Sequence, residues 1–402
     1  MELMGIQENF YRKFSATEYQ RRHALLRNAM AREGIDVTIV YAGYKEMFQG
    51  NSRWLTGMRE MMQSYAVFPR VGEPTAYNSL YPHLMCARRI SAIADTQWGG
   101  PSIAHTVAGK IKALGLARGR IGLVGVHADR GITLPMDHYL IFKEEMPDAE
   151  LVNITRDVEN LTMVRSDEEL SFFAKGAEYT DYTMAQLIKA VKPGASEVDL
   201  YGRIMVSAYE CGGSPDFALL GSTSQQNPDM PYPWHIPSER VVQPGDIVLN
   251  EISVSYGGCS GQLIVPISVG EPLPEYRELH RVARLTLESV ARTLRPGATQ
   301  DDITEAAQPL LDAGFVAQAP IIHGWPNPPM RPILAVGVKG DAYGRKAPFT
   351  LQENMLIMIE PNPATPDLKK GLFLGALHVV TKEGGYCLHK HPLDFAVVPN
   401  HA

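Results

Sequence analysis

Apolar positions along the chain change period from stretch to stretch, and those changes mark its elements. From Ser15 to Ile35 the spacing is helical: Leu25, Leu26, Met30 and Ala31 recur on one side, Thr17-Glu18 opens the segment and Gly34 closes it. Val37 to Tyr41 reads as a strand, and so do Tyr65 to Phe68, Ile121 to Gly125 and Leu151-Val152, with helical runs between them. This alternation predicts an α/β domain over residues 1–160. A second domain, 161–402, opens with a long helix from Ser166 to about Ala190. Ser166 and Glu169 form a capping box at its start, and Pro193-Gly194 stops it. Ser196 starts another helix through Val206 and Tyr209, and a further helical pair is expected at Pro274 to Leu294 and Asp301 to Ala313. Lys192-Pro193-Gly194-Ala195-Ser196 and Arg295-Pro296-Gly297-Ala298-Thr299 are two versions of one turn between similar helices. Internal duplication accounts for both; the alternative is repeated use of the same helix-stop chemistry.

Between the helical pairs the pattern turns strand-like. The Pro244-Gly245-Asp246 turn leads into an apolar-rich strand to Tyr256, a Gly257-Gly258 step, and a return through Leu263 to Ile267. Two strand-length runs around a Gly-Gly step read as a β-hairpin. Glu251 on the first arm and Gln262 at the start of the second are the polar residues such a hairpin presents to a cleft. Trp234-His235 lies upstream, with His323, Ile359-Glu360-Pro361 and a closing strand from Leu377 to Thr381 downstream.

Composition narrows the classes. The 402 residues are enough for two domains, and 45% hydrophobic with 20% charged residues is ordinary for a globular protein. A net charge of -6 argues against a broadly nucleic-acid-binding surface. No apolar run reaches the ~20 residues needed to cross a bilayer. Met1 to Glu8 lacks the basic and apolar regions of a signal peptide, so a cytoplasmic protein is expected. Cys86, Cys211, Cys259 and Cys387 are scattered and form no CxxC pair, which argues against a disulfide framework or a cysteine zinc site.

The order of His235, the Gly-Asp turn, Glu251, Gln262, His323-Gly324 and Glu360-Pro361 resembles the pita-bread superfamily of creatinase, prolidase and methionine aminopeptidase. Asn51-Ser52-Arg53-Trp54-Leu55-Thr56-Gly57 and Val164 to Leu170 resemble its N-terminal signature and the opening of its second domain. The resemblance implies an N-terminal creatinase-type α/β domain and a pseudo-symmetric C-terminal domain, a curved antiparallel sheet backed by helices. It also implies a homodimer in which Arg59 approaches the partner's site; the alternative for Arg59 is a solvated loop charge. In metal-using relatives two Asp, one His and two Glu hold two divalent ions. Here Glu251 takes the first Asp position, the neutral Gln262 falls near the second, His323 fits the histidine and Glu360 the first glutamate. Phe373-Leu374-Gly375-Ala376 stands where the last glutamate is expected, and Gly324 to Pro329 replaces the usual Gly-rich run. A pair of hard cations wants several carboxylate oxygens, so neither metal nor cofactor is expected.

His235 is the candidate acid–base group, since an imidazole accepts and returns a proton near neutral pH. The alternative is a histidine satisfied within its aromatic loop. Glu251 and Glu360 face each other without a metal, and two close carboxylates raise one pKa unless a cation sits between them. That cation is a substrate group such as guanidinium, amidinium or ammonium, or else Arg331 as a structural plug. His323 binds substrate or stabilises a transition state, or is a stranded ligand that merely packs. His378 points inward or outward on its strand, and Trp54, Trp234, Trp325 and Tyr232 line the pocket or fill the core. His389 and His391, lacking evident partner carboxylates, are expected at the surface. The function expected is metal-independent hydrolysis of a non-peptide C–N bond in a small cationic or zwitterionic metabolite, as in creatinase and ectoine hydrolase. A lyase on the same scaffold, a metal-dependent Xaa-Pro aminopeptidase and a non-catalytic binding module are the alternatives. The expected partner is a small molecule, with no nucleic acid and no membrane.

Overall fold

The computed structural model describes residues 13–43, 50–127, 133–326, 330–338 and 348–401. The readings placed on Met1 to Glu8 and on Asn327-Pro328-Pro329 lie outside these. Two compact units divide between Met163 and Val164.

In the first unit, α1 (Ala16–Arg32) starts at Ser15, whose hydroxyl accepts from the Glu18 N–H. Leu26 and Met30 are buried as their spacing predicts, but Ala31 is exposed, and Tyr19 and Arg22 extend the buried face instead. The strands are β1 (Val37–Ala42), β2 (Ser64–Pro69), β3 (Thr75–Asn78), β4 (Asp95–Trp98), β5 (Arg120–Val124) and β6 (Glu150–Asn153). They form one sheet in the order β4-β3-β2-β1-β5-β6, parallel at β1–β5 and β5–β6 and antiparallel at β1–β2 and β2–β3. Helices α2 (Gly50–Thr56), α3 (Leu84–Ile90), α4 (Ile103–Ala113), α5 (Met136–Glu145) and α6 (Thr155–Leu161) complete the alternation. The Asn51 to Thr56 signature is therefore helical. Arg59 sits half-buried just after it.

In the second unit, α7 (Asp167–Ala190) has the capping box at Ser166 and Glu169, and α8 (Glu197–Glu210) has another at Ser196 and Asp199. They back the hairpin of β8 (Asp246–Tyr256) and β9 (Cys259–Ile264), with β7 (Ser214–Ser224) beside β8. β10 (Ile267–Val269) pairs back onto β8. The second helical set is α9 (Pro274–Thr293), α10 (Gln300–Ala306) and α11 (Gln308–Asp312). The single helix expected from Asp301 to Ala313 is thus broken, because Pro309 cannot continue α10 but fits the first turn of α11. The remaining strands are β11 (Val316–Ala317), β12 (Ile322–Gly324), β13 (Ile333–Leu334), β14 (Leu356–Ile359), β15 (Pro363–Ala364), β16 (Gly375–Thr381), β17 (Gly384–Cys387) and β18 (Ala396–Val398). The main sheet runs β13-β12-β14-β16-β9-β8-β10-β18, with β16 and β9 antiparallel at its centre.

The repeated turn is one structure used twice. Gly194 and Gly297 take φ of +90° and +92°, which a Cβ would strain. The Gly194 N–H donates to the Val242 carbonyl and the Gly297 N–H to that of Leu351. Val242 returns a bond to Ala195, Leu351 returns one to Ala298, and Ser196 and Thr299 each form a capping box. Each turn therefore anchors the chain just before a sheet strand, β8 in one half and β14 in the other. Val248, Ile252, Val254, Leu263, Val265 and Ala376 pack against α7 and α8 through Met184, Leu187, Leu200 and Ile204. The opposite face of the sheet carries Glu251, Gln262, His323 and Glu360.

Candidate active site

Strand register decides which side chains share that opposite face, because residues directly across from each other point the same way and neighbours in sequence alternate. Gln262 lies across from Ser253, and Ser253 from Phe217. Glu251, two residues from Ser253, joins them and lies across from Leu219. Gly375 lies across from Ile264, two residues from Gln262. Leu377 lies across from Met358, and Met358 from His323. Glu360 follows Met358 by two residues. Glu251, Gln262, His323 and Glu360 therefore belong to one face, and all four are buried.

Their contacts fall into two groups. The Gln262 Nε2 donates to Glu251 Oε1. Since that leaves its carbonyl turned away, Gln262 Oε1 is buried without a hydrogen-bond partner among the described residues. His323 Nε2 lies 3.2 Å from Glu360 Oε1, and His323 Nδ1 lies 3.0 Å from the Gly324 carbonyl. A carbonyl only accepts, so Nδ1 carries a hydrogen, and the Nε2 contact then needs one further proton shared with Glu360. Burial pushes the Glu251 carboxyl well above its usual range, the charge of Glu360 pushes it further, and the Gln262 amide opposes them.

Asn362 was not foreseen. It is fully buried, with its backbone at φ +40°. The Leu374 N–H donates to Asn362 Oδ1 at 3.1 Å, which turns Nδ2 toward Glu360 Oε2 at 3.3 Å. Both oxygens of Glu360 are thus engaged, one by His323 and one by Asn362. Asn followed by Pro, two residues after a site glutamate, was the available signal, but nothing local ties it to Leu374.

Aromatic side chains wall the face. Trp325 is buried; its Nε1–H donates to the Ser260 carbonyl and its ring lies 6.1 Å from His323 and 6.2 Å from Phe217. A strap from Met230 to Ser238 lies over the β7 side. A Cβ on Gly221 would meet the flexible end of Met230 at 2.6 Å and the Trp234 ring at Cδ1 at 2.7 Å, so a side chain here would press on the strap. The Leu220 N–H donates to the Trp234 carbonyl, and Tyr232 sits edge-on to Phe373 with centroids 4.5 Å apart. Buried Glu197 anchors the far end, accepting from Ser238 and from Ser222. His235 is exposed on this strap, next to the half-exposed Trp234, and is not hydrogen-bonded to the four buried site residues.

Other candidates lie elsewhere. His378 is across from Ile357 and next to Leu377, so it points to the helix-backed face and not into the site. Its Nδ1 bonds the Ala376 carbonyl, and burial lowers its pKa to about 4. The surface expectation for His389 is wrong: it is buried, with Nδ1 2.6 Å from Asp181 Oδ1 on α7. Asp181 also accepts from the backbone N–H groups of Lys390 and His391. A partner 208 positions away could not be read locally. Arg331 is half-buried, its backbone packed on Gly324, and it is not among the groups acting on Glu251. Trp54 fills the core of the first unit.

This hairpin-centred sheet with its ordered Glu, His and Glu defines the class: the chain belongs to the metallopeptidase family M24, which residues 172–382 match. Over 399 residues it is 25% identical to a probable dipeptidase PepE of Mycobacterium tuberculosis, covering 96% of this chain and 99% of that one. It is also 25% identical to creatinase of a Bacillus species over 359 residues, 87% of this chain and 82% of the other. The crystal structure of dipeptidase PepE from Mycobacterium ulcerans superposes with a TM-score of 0.75 at 24% identity, covering 96% of this chain and all of that one. The α/β first unit and pita-bread second unit are those of this fold. No helix among the described residues is long and apolar enough to cross a membrane.

The family name implies metal, and the residues do not fit a pair of divalent ions. Among the described residues no three His, Cys, Asp or Glu side chains converge as ligands. Gln262 turns an amide N–H toward Glu251, and Gly375 on the site face has no side chain to offer. A pair of hard cations needs carboxylate oxygens to balance its charge, and neither position supplies one.

Proposed function

We propose that the protein is a metal-independent hydrolase of a non-peptide C–N bond in a small cationic or zwitterionic metabolite, a creatinase-type activity within the family. The observation that carries this is the buried Glu251 carboxylate, which feels the charge of Glu360 and among the described residues is hydrogen-bonded only by a neutral amide. A substrate cation offsets the repulsion with charge-assisted hydrogen bonds. His235, on the strap above Gly221, takes a proton from water as its oxygen attacks the carbon. It returns that proton to the nitrogen as the C–N bond breaks. His323 and Glu360 hold their shared proton beside the reacting group, and Trp325 and Phe217 shield it from bulk solvent while one water reacts. The resemblance to the superfamily further supports a homodimer with Arg59 near the partner's cleft. Light scattering that gives a monomer at micromolar concentration removes that role.

The dipeptidase named among the relatives, matched over nearly the whole chain, favours a second reading: a metal-dependent peptidase. Elemental analysis, chelation and product analysis separate the two. The first reading expects substoichiometric metal, activity that survives a chelator, and turnover of guanidino, betaine or amidine metabolites. About two divalent ions per chain, with chelator-sensitive cleavage of dipeptides, establishes the second and overturns the first.

A further inference from the structure

Glu251 and Glu360 differ in what they leave free. Both oxygens of Glu360 are occupied within the protein, by His323 at 3.2 Å and Asn362 at 3.3 Å. Glu251 uses only Oε1, and among the described residues no hydrogen bond reaches its Oε2. Beside it, Gln262 Oε1 is an acceptor with no partner, on a side chain only 1% exposed. A buried carbonyl left unsatisfied is costly, so this oxygen is an unfilled half of a hydrogen bond. Once a cation beside Glu251 holds it ionised, the amide cannot turn to hide this oxygen, because a carboxylate accepts only and must face the NH₂ group.

We propose that Glu251 Oε2 and Gln262 Oε1 together form the recognition edge for the substrate's cationic group, and that this edge selects cations bearing N–H donors. An amidinium or guanidinium presents two N–H groups on one planar edge and fills both acceptors. A primary ammonium does so with two of its three hydrogens. A quaternary ammonium carries the same charge and offers no hydrogen, so it leaves Gln262 Oε1 buried and unpaired. Glu360 does not touch the cation; it acts through His323. Gln262 is thus the selectivity residue, and Glu251 supplies the charge. The inference rests on the cationic-substrate reading above and narrows it to N–H-bearing groups.

The test is a calorimetric titration of the full chain with acetamidinium, methylammonium, tetramethylammonium and neutral acetamide. The wild type is expected to bind acetamidinium and methylammonium at least about 10-fold more tightly than tetramethylammonium, the factor one charge-assisted hydrogen bond supplies. Gln262→Met, matched in length but without the acceptor, is expected to lose that preference while its residual affinity for tetramethylammonium stays. Glu251→Gln is expected to weaken all three cations alike. Equal wild-type binding of acetamidinium and tetramethylammonium overturns the selectivity proposal and leaves the cationic-substrate reading standing, as does a folded Gln262→Met that keeps the preference. Acetamide binding as well as acetamidinium, or no binding by any cation, overturns that reading itself. The wild-type series decides the question even if Gln262→Met fails to fold.

Discussion

In one half of the second unit Gly221 lies across from Leu249; in the other His323 lies across from Met358. These are equivalent places. Leu249 precedes Glu251 by two residues and Met358 precedes Glu360 by two, and the two glutamates follow the anchored residues Val242 and Leu351 at the same distance. The duplicated frame therefore delivers two matching carboxylates, and the difference lies in their company. Glu360 has an imidazole on one oxygen and the Asn362 amide on the other. Glu251 has a glycine where the imidazole would be, and Trp234 fills the vacated space from the strap. A pseudo-symmetric scaffold thus becomes an asymmetric site through a few positions, with no change in its backbone plan.

The largest expected effect tests what the strap adds to the first half. His235→Ala should lower kcat by ~10²–10⁴-fold while circular dichroism and substrate affinity hold. An unchanged kcat takes the proton transfer away from the strap. Next is Gly221→Ala, whose methyl would stand 2.7 Å from Trp234 Cδ1. Lifting the strap should cost roughly 10-fold or more in kcat through misplacement of His235, and about 1–3 kcal/mol of stability. Wild-type activity with unaltered tryptophan fluorescence would show that the strap does not depend on this glycine.

Matched substitutions at the two carboxylates should then differ in sign. The folded pKa of Glu251 lies above its unfolded value of 4.5, so ionisation of this group opposes folding. Its contribution to stability is complete below the unfolded pKa and is lost as pH rises through the folded one. Glu251→Gln should therefore stabilise the protein more at pH 8 than at pH 5. Glu360→Gln should destabilise by about 1–2 kcal/mol, because it disrupts the contact with His323. Chemical denaturation of both variants at both pH values checks this; the same sign at both positions would dissolve the distinction. The smallest effects should be equal. Ser196→Ala and Thr299→Ala each remove one cap of the repeated turn and should cost about 1 kcal/mol apiece. A clear inequality would show that the two turns are not energetic equivalents.

What the sequence made legible was local. Ser166 and Glu169 stand three residues apart, so their capping box can be read without knowing anything else about the chain. The Gly257-Gly258 hairpin and both Pro-Gly turns are legible for the same reason. The break at Pro309 was legible too, since proline removes a helical N–H, and a continuous helix was the wrong reading there. The order of site residues was visible through the family resemblance, but their roles were not. Which way His378 points depends on strand register, and a slip of one residue reverses it. The hold of Asn362 on Glu360 needs the Leu374 N–H, and the burial of His389 needs Asp181 on a distant helix. Such pairings exist only once the sheet and helices have met.

The cramped setting of Gly375 bears on which side chains this site can accept. A Cβ there would lie 2.8 Å from the Ile359 carbonyl oxygen and 2.6 Å from Met358 Cε. A methionine end can swing aside, but a backbone oxygen in a strand pair cannot. A lineage that exchanged this glycine for a carboxylate would have to reposition two adjacent strands at the same time. Gln262 needs only a change of its terminal group to carry a charge, so the two neutral positions are not equally open to substitution. A single substitution to a carboxylate is open at one and sterically barred at the other.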